Sequence, residues 1–424
     1  MAEYFHSVTL DKDLCKGCIN CIKRCPTEAI RVRDGKACIA PERCIDCGEC
    51  IRICPHHAKK PIYDPLSILD KYQYTIALPA PSLYGQFNNL EEPDVVLNAL
   101  LDSGFDAVYE VSKAAEFISD ASRRIMQTGA VEKPVISSAC PAVLRLIRVR
   151  FPQLIDHVLP VIAPVEYAAR AAKEEAVQKT GLPRADIGCI FITPCPAKVT
   201  AIHSPIGSQK SEIDGAVAVK ELYPKLLSAM HHPTHTDYMA SAGRIGLGWA
   251  ESGGEAAGLV STDSYLAADG IENVIRVLED LEDEKYRELD FVELDACAGG
   301  CVGGVLQVEN PYIAKAKIKK LRRYMPVSKN HLTVSIPQGM LWDADLTYSP
   351  VLELGETQEE RFTRYNRMEQ ILSGLPGLDC GSCGAPTCAA LAEDIVRGEA
   401  DVDDCTVRMR HRMEAVLKAL GRGE

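Results

Sequence analysis

The sequence predicts a multi-domain protein of the α/β class with a small cysteine-rich segment at each end. Three observations carry this expectation. The chain has 424 residues, more than one hydrophobic core accommodates, and its 46% of hydrophobic residues suffice to fill several. Its middle alternates apolar runs, Tyr74–Leu78 and Ile187–Ile192, with helical patterns such as EYAARAAKEEAVQK at 166–179. Its 18 cysteines form three groups, nine before residue 55, five between 140 and 301, and four between 380 and 405.

These groups set the expected domains: 1–65, 66–355 and 356–424. Pro61 and Pro65 in KKPIYDPL mark the first boundary. After Gly355, the charged amphipathic stretch 358–374 ends at glycine and leads through Pro376 to the last cysteines. The stretch 309–325 reads as a helix with a basic, solvated face and receives no function.

Composition excludes several function classes. A net charge of −12 without a sustained Lys/Arg block argues against nucleic acid, since phosphate binding needs a concentrated basic surface. MAEYFHSVTL has no charged segment followed by an apolar one, and no apolar run approaches the roughly 20 residues that span a bilayer. A cytoplasmic location and no membrane association are the expectation. In a reducing compartment this many cysteines point to metal ligation rather than disulfides.

Spacing identifies the metal at the N-terminus. Cys15, Cys18, Cys21 and Cys25-Pro26 are followed by Cys44, Cys47, Cys50 and Cys54-Pro55 with identical spacing at an interval of 29 residues. Three cysteines two apart wrap three corners of a cubane, and the fourth, beside proline, is aimed at the other cluster. One [4Fe–4S] cluster is therefore expected on Cys15, Cys18, Cys21 and Cys54, the second on Cys44, Cys47, Cys50 and Cys25. Residues 5–60 resemble bacterial two-cluster ferredoxins, which carry single electrons. Cys38 lies outside the pattern and is expected to be a buried, inert thiol.

The middle cysteines come from three separate segments, SSACPAV with Cys140, FITPCPAKVT with Cys195, and ELDACAGGCVGG with Cys297 and Cys301. Cys189 stands alone. Ligands drawn from distant segments imply a cavity closed by a folded domain, and the glycines let backbone approach an inorganic cluster closely.

These segments, in this order and after a ferredoxin-like region, resemble the [FeFe]-hydrogenases over residues 75–325. The resemblance implies that Cys140, Cys195, Cys297 and Cys301 hold a [4Fe–4S] cubane. Cys301 would also bridge to a diiron unit carrying CO, cyanide and an azadithiolate. It implies that Lys198 hydrogen-bonds one cyanide and that Ala80, Pro81 and Ser82 form a wall near the other. An ammonium three residues after a cluster cysteine can neutralise an anionic cofactor and donate to it.

The chain departs from the family at the proton path. Efficient members carry a cysteine directly before the first cubane ligand, where this chain has Ala139, and a methyl group cannot shuttle a proton. Thr193 and Asp295 stand where methionines contact the diiron unit, and Ala201 replaces an acidic residue. Glu251, in GWAESGGEAAG, and Asp295 are the candidate substitute carboxylates, each with a structural role as the alternative.

At the C-terminus, Cys380, Cys383, Cys388 and Cys405 supply four more thiolates, with a helix expected at about 388–397. The spacing matches a small [4Fe–4S] domain. Zinc is the alternative, because four thiolates suit either metal.

The expected function is reversible H2 oxidation and proton reduction, slow because of Ala139 and used for hydrogen or redox sensing, as in the branch of the family assigned to sensing. The expected partners are a redox protein such as ferredoxin, maturation proteins for the diiron unit and a signalling protein. The alternatives are a non-catalytic hydrogenase-like scaffold without the diiron unit and an electron-transfer subunit of a larger oxidoreductase. No nucleotide or flavin fingerprint is present.

Overall fold

The computed structural model describes residues 5–259 and 264–420. The chain divides into two compact units. The first is built on Pro61–Tyr348, joined by Ile45–Gly48 and the start of the chain through Ser7. The second combines Val8–Cys44, Glu49–Lys60 and the chain from Ser349 onward.

The first unit contains two parallel sheets. Its strands are β1 (Tyr74–Pro79), β2 (Ala107–Val108), β3 (Val135–Ile136), β4 (Ile187–Thr193), β5 (Gly215–Ala218), β6 (Tyr265–Asp269) and β7 (Phe291–Asp295). One sheet runs β2-β1-β4-β5 and the other β6-β7-β3, every pairing parallel. All seven residues of β4 are buried, which explains its unbroken apolar sequence, since a parallel strand covered on both faces has no solvent side to alternate with. The apolar run expected at 187–192 is this strand, and the helical pattern at 166–179 lies within Pro164–Thr180.

Helices cover the sheets. The pairings are right for α/β packing: Ala168, Ala169 and Ala172 of the Pro164–Thr180 helix lie in one core with Ile76, Leu78, Ile187 and Phe191 of β1 and β4. A second core joins Ile136, Val292 and Leu294 to the helices Pro141–Arg150 and Ile271–Glu282, and it also takes in Ile45 and Cys47. Cys189 sits in β4 with no exposed surface, its thiol pushed up to about 12 chiefly by burial. It is a core residue.

In the second unit, the ferredoxin-like and C-terminal segments share one fold. Asp394 accepts from Arg31 Nε at 2.7 Å and Arg33 Nη2 at 2.5 Å, and Arg43 pairs with Glu393. The Lys23 ammonium donates to the carbonyls of Asp379 (2.7 Å) and Pro386 (2.9 Å). Val32 N–H donates to Gly384 O at 2.8 Å. Nothing in a chain's linear order links Arg31 to Asp394, so only the fold brings 356–424 into this unit. The helix expected at about 388–397 runs Cys388–Arg397, capped by Thr387, whose hydroxyl accepts from Ala390 N–H. Cys38, expected to be buried, is exposed. It lies on the short strand Lys36–Ile39, where alternation turns Ala37 inward and Cys38 out.

Among the described residues no helix is long and apolar enough to cross a membrane.

Candidate functional site

The predicted site residues of the first unit gather at the carboxyl ends of parallel strands, where open α/β sheets leave a crevice. Ala80, Pro81 and Ser82 follow β1, Cys140 comes four residues after β3, Cys195 two after β4, and Cys297 two after β7. Each strand thus delivers one segment to the same end of the unit.

Local chemistry then orients each group. Cys140 and Cys195 are the N-cap residues of Pro141–Arg150 and Pro196–His203, with proline at the first helical position in both. Proline loses nothing there, because the first N–H of a helix has no intrahelical partner and its φ is already helical. The Cys-Pro pairs in the sequence are therefore helix starts. Burial pushes the Cys195 thiol up, opposed by the Lys198 charge and by the N–H groups of Lys198 and Ala197.

Cys297 and Cys301 lie on the loop after β7. The Gly300 N–H donates to Cys297 O at 3.1 Å, and Gly300 has φ +89° with its Cα packed so closely that a Cβ would stand 2.4 Å from Ser252 N. Only glycine fits that turn.

Lys198 connects these segments. Its Nζ donates to Cys301 Sγ at 3.4 Å. Burial disfavours the ammonium, yet the thiols of Cys301, Cys195 and Cys140 outweigh it and hold Lys198 above its ordinary value. Burial raises Cys140 to about 12 and Cys301 to about 11, with the Lys198 charge opposing it at Cys301. Convergent thiols beside one ammonium suit a metal cluster that carries net negative charge.

Beside them is a cavity of about 50 Å³ lined by Ala80, Pro81, Ser82, Ala139, Lys198, Asp295 and Cys301, with Glu255 and Glu293 also on its wall. Ser82 is wholly buried, and its Oγ accepts from Gln307 Nε2 at 2.7 Å. Gln307, absent from the sequence reading, also donates to Cys301 O at 3.4 Å and so ties the wall to the cysteine loop.

Of the two carboxylates expected at the cavity, Asp295 lines it and Glu251 does not. Glu251 is 3% exposed and its Oε1 pairs with Arg322. A buried ion pair holds it in place. The cavity carboxylates that sequence reasoning missed are Glu293 and Glu255. Glu293 precedes Asp295 by two on β7, and the period of a strand puts both on one face, which was the available signal. Glu255 follows Glu251 by four residues in the same motif and had no distinguishing mark.

The carboxyls interact. Burial raises Asp295 to about 6, with Lys198 opposing, and Asp295 is also hydrogen-bonded by the Glu293 side chain. Glu293 is raised well above its ordinary value by burial, then by Asp295 and Glu255. Burial lifts Glu255 to about 8, while Ser137 Oγ donates to its Oε2 at 2.5 Å. Glu255 therefore keeps its proton at neutral pH, whereas Asp295 is mostly ionised there.

That shift has a measurable consequence. Unfolded Glu255 ionises near 4.5 but keeps its proton when folded until about 8. The folded state binds more protons between those values, so its stability is full below 4.5 and falls as pH rises toward 8. Glu255→Gln is expected to remove that fall, on the order of 5 kcal/mol for a group shifted this far. Denaturant midpoints from pH 5 to 9 check it, and an identical decline in both proteins would discard the assignment.

In the second unit, Cys21 is raised chiefly by burial, and Cys18, Cys15 and Cys54 act on it in the same direction. Backbone N–H groups of Ala37, Ala29 and Ala58 donate to Cys15, Cys25 and Cys54 Sγ at 3.4, 3.2 and 3.3 Å. Such N–H···S bonds are the usual second shell of cluster thiolates. Near the other terminus, Cys383 is raised chiefly by burial, with Cys405 and Cys380 acting on it, and Cys388 heads the helix beside them.

Comparison with known proteins agrees with this arrangement. The family described as "Iron only hydrogenase large subunit, C-terminal domain" matches residues 73–254 and 255–305. A "4Fe-4S dicluster domain" matches 7–55, and an Fe-S cluster domain matches 375–407. The chain is 22% identical over 395 residues to iron hydrogenase 1 of Clostridium pasteurianum, covering 76% of this chain and 68% of that one. It is 24% identical over 261 residues to the NADP-reducing hydrogenase subunit HndD of Solidesulfovibrio fructosivorans, covering 53% of this chain. It spans only 44% of that subunit's length. A solved structure from work on [FeFe]-hydrogenase inactivation by oxygen aligns with a TM-score of 0.54 at 14% identity, over 67% of this chain and 98% of its own. That likeness concerns the fold. With the match at 73–254 and 255–305 covering more than half of its length, the chain belongs to the iron only hydrogenase large-subunit family, as a hydrogenase-like iron–sulfur oxidoreductase of mixed α/β fold.

Proposed function

We propose that this protein interconverts H2 with protons and electrons at a cubane held by Cys140, Cys195, Cys297 and Cys301, extended by a diiron unit in the adjoining cavity. When bound, that group supplies the open metal position at which H2 is split or formed. The observation that carries the reading is Lys198, an ammonium held among three thiols at the wall of a cavity. Lys198 faces not only the cluster thiols but also the cavity beside them. A cyanide-bearing unit would give this ammonium an anionic partner, and Lys198 with Ala80, Pro81 and Ser82 are the residues that would hold it.

The chain's own residues handle the protons. Ala139 offers no exchangeable hydrogen, and the carboxyls at the cavity are Asp295, Glu293 and Glu255. Asp295 and Glu293 are hydrogen-bonded, Glu255 acts on Glu293, and Ser137 Oγ fixes Glu255. Each carboxyl can donate when neutral and accept when ionised, which a relay requires. Protons step between carboxyl oxygens in this scheme, in place of a thiol.

Electrons travel through the N-terminal cysteines. Cys47, whose segment Ile45–Gly48 belongs to the first unit, packs in the same core as Cys140 and Cys195. A one-electron protein such as ferredoxin is the proposed partner, and the C-terminal cysteines hold a fourth [4Fe–4S] cluster through which redox state is reported to a signalling protein. Sensing is the proposed use, because a cavity without the usual thiol turns over slowly.

Anaerobic reconstitution with iron and sulfide, followed by a synthetic diiron azadithiolate, tests this. The expected result is iron without zinc at the level of four cubanes, CO and cyanide infrared bands, and low hydrogen evolution. A full complement of cubanes that never acquires those bands would replace this reading by the non-catalytic one.

A further inference from the structure

One buried charge has no part in the function described so far. Lys59 is 3% exposed, and its Nζ has no hydrogen-bond partner among the described residues. An ammonium removed from water costs several kcal/mol unless a counter-charge or hydrogen bonds replace the solvent. Its electrostatic neighbours are cysteines. Burial raises Cys21, and Lys59 is the main opposing influence. At Cys54 burial is outweighed by the N–H groups of Lys59, Ala58 and His56 together with the Lys59 charge. The ammonium therefore lies beside two of the four thiols expected on the first cluster.

The internal repeat supplies a control. At its interval of 29 residues, Cys25 corresponds to Cys54, Ala29 to Ala58 and Ile30 to Lys59. The alanines behave as twins, each donating its N–H to the cysteine four residues earlier, at 3.2 and 3.3 Å. The next position does not. Ile30 is 2% exposed in the same small core that contains Cys15, Cys21 and Ala58. Two sites built on one plan thus differ at this position by one enclosed positive charge, and within the cysteine loop by the buried Asp46 where the first run has Gly17.

We propose that Lys59 is the counter-charge of the cluster held by Cys15, Cys18, Cys21 and Cys54, and that it sets that cluster's reduction potential above its twin's. The step is a one-electron reduction: a donor such as reduced ferredoxin loses one electron, and the cluster gains it together with one unit of negative charge. A fixed ammonium stabilises the more negative state more strongly, while Ile30 gives the twin no such bias. A single electron entering the pair rests on the Lys59 cluster. The wire is thus graded rather than uniform.

This rests on two clusters being bound in the repeat, which iron content and the EPR signals of the unaltered full-length protein establish by themselves. The test of Lys59 is a redox titration followed by EPR on Lys59→Ile, the residue that the repeat already accommodates at position 30. The expected result is that one N-terminal signal becomes about tenfold harder to reduce, about 59 mV lower for a one-electron couple, while its twin is unmoved. Lys59→Arg, which keeps the charge, is expected to stay near the original potential. Unchanged potentials in a fully loaded Lys59→Ile protein overturn the proposal. If Lys59→Ile fails to load, loading of Lys59→Arg at the original potential supports it, and failure of both overturns it by assigning Lys59 to packing.

Discussion

Lys198→Ala is expected to bind its cubane and lose the diiron unit, with no CO or cyanide infrared bands and no hydrogen activity. The physical basis is the loss of a charged donor. Lys198 is held in its ionised form by Cys301, Cys195 and Cys140, and it reaches Cys301 Sγ at 3.4 Å. A hydrogen bond from a charged group contributes roughly 1.5–3 kcal/mol, so its removal weakens retention by about one to two powers of ten. The cavity wall that remains, Ala80, Pro81 and Ala139, offers an anionic guest no compensating charge. Lys198→Arg separates charge from fit, because guanidinium keeps the charge but presents a planar fork in place of a compact ammonium. Normal bands in Lys198→Ala would remove the lysine from the binding site and with it the main support for a diiron guest.

Glu293→Gln is expected to slow turnover by about 10² to 10⁴, the usual contribution of a positioned proton donor or acceptor, while leaving the infrared bands in place. Glu293 occupies the middle of the proposed relay: it hydrogen-bonds Asp295 and is acted on by Glu255. Its oxygens also accept from Gly253 N–H and Ala256 N–H, both at 2.8 Å. Gln keeps one carbonyl oxygen for these bonds but cannot exchange a proton. Ala139→Cys provides the second arm, since a thiol there would put an exchangeable proton at the cavity. It should speed the unaltered protein and rescue Glu293→Gln in part. Equal rates in Glu293→Gln and the unaltered protein would mean that protons reach the cavity by another route.

Much of this site was legible in the sequence. Cluster ligands carry their geometry in their spacing, because a cubane's corners are fixed and the loop that wraps them has few lengths. That is why Cys15 to Cys54 could be paired across the repeat from spacing alone. The strands and helices of the middle region were legible for a similar reason, since β4 is one unbroken apolar run and the helix Pro164–Thr180 keeps a helical pattern over its length.

The carboxylates were not legible, and Glu251 illustrates why. It and Glu255 share one glycine-rich motif, and only the fold decides that Arg322 captures the first while the second lines the cavity. Cys38 was misjudged because a free cysteine is usually buried, whereas here strand alternation leaves its neighbour Ala37 inside.

The repeat that first marked this chain as an electron carrier makes the division clear. By itself the sequence determined which thiols could hold clusters, because ligand spacing is a local property of the chain. Tertiary structure alone decided which polar groups would be enclosed beside them: Lys198 among the cavity thiols, Glu293 and Glu255 on its wall, and Lys59 against Cys21 and Cys54 where its repeat twin is Ile30. Burial is set by what packs on every side of a residue, and the strength of a charge's effect follows from that burial.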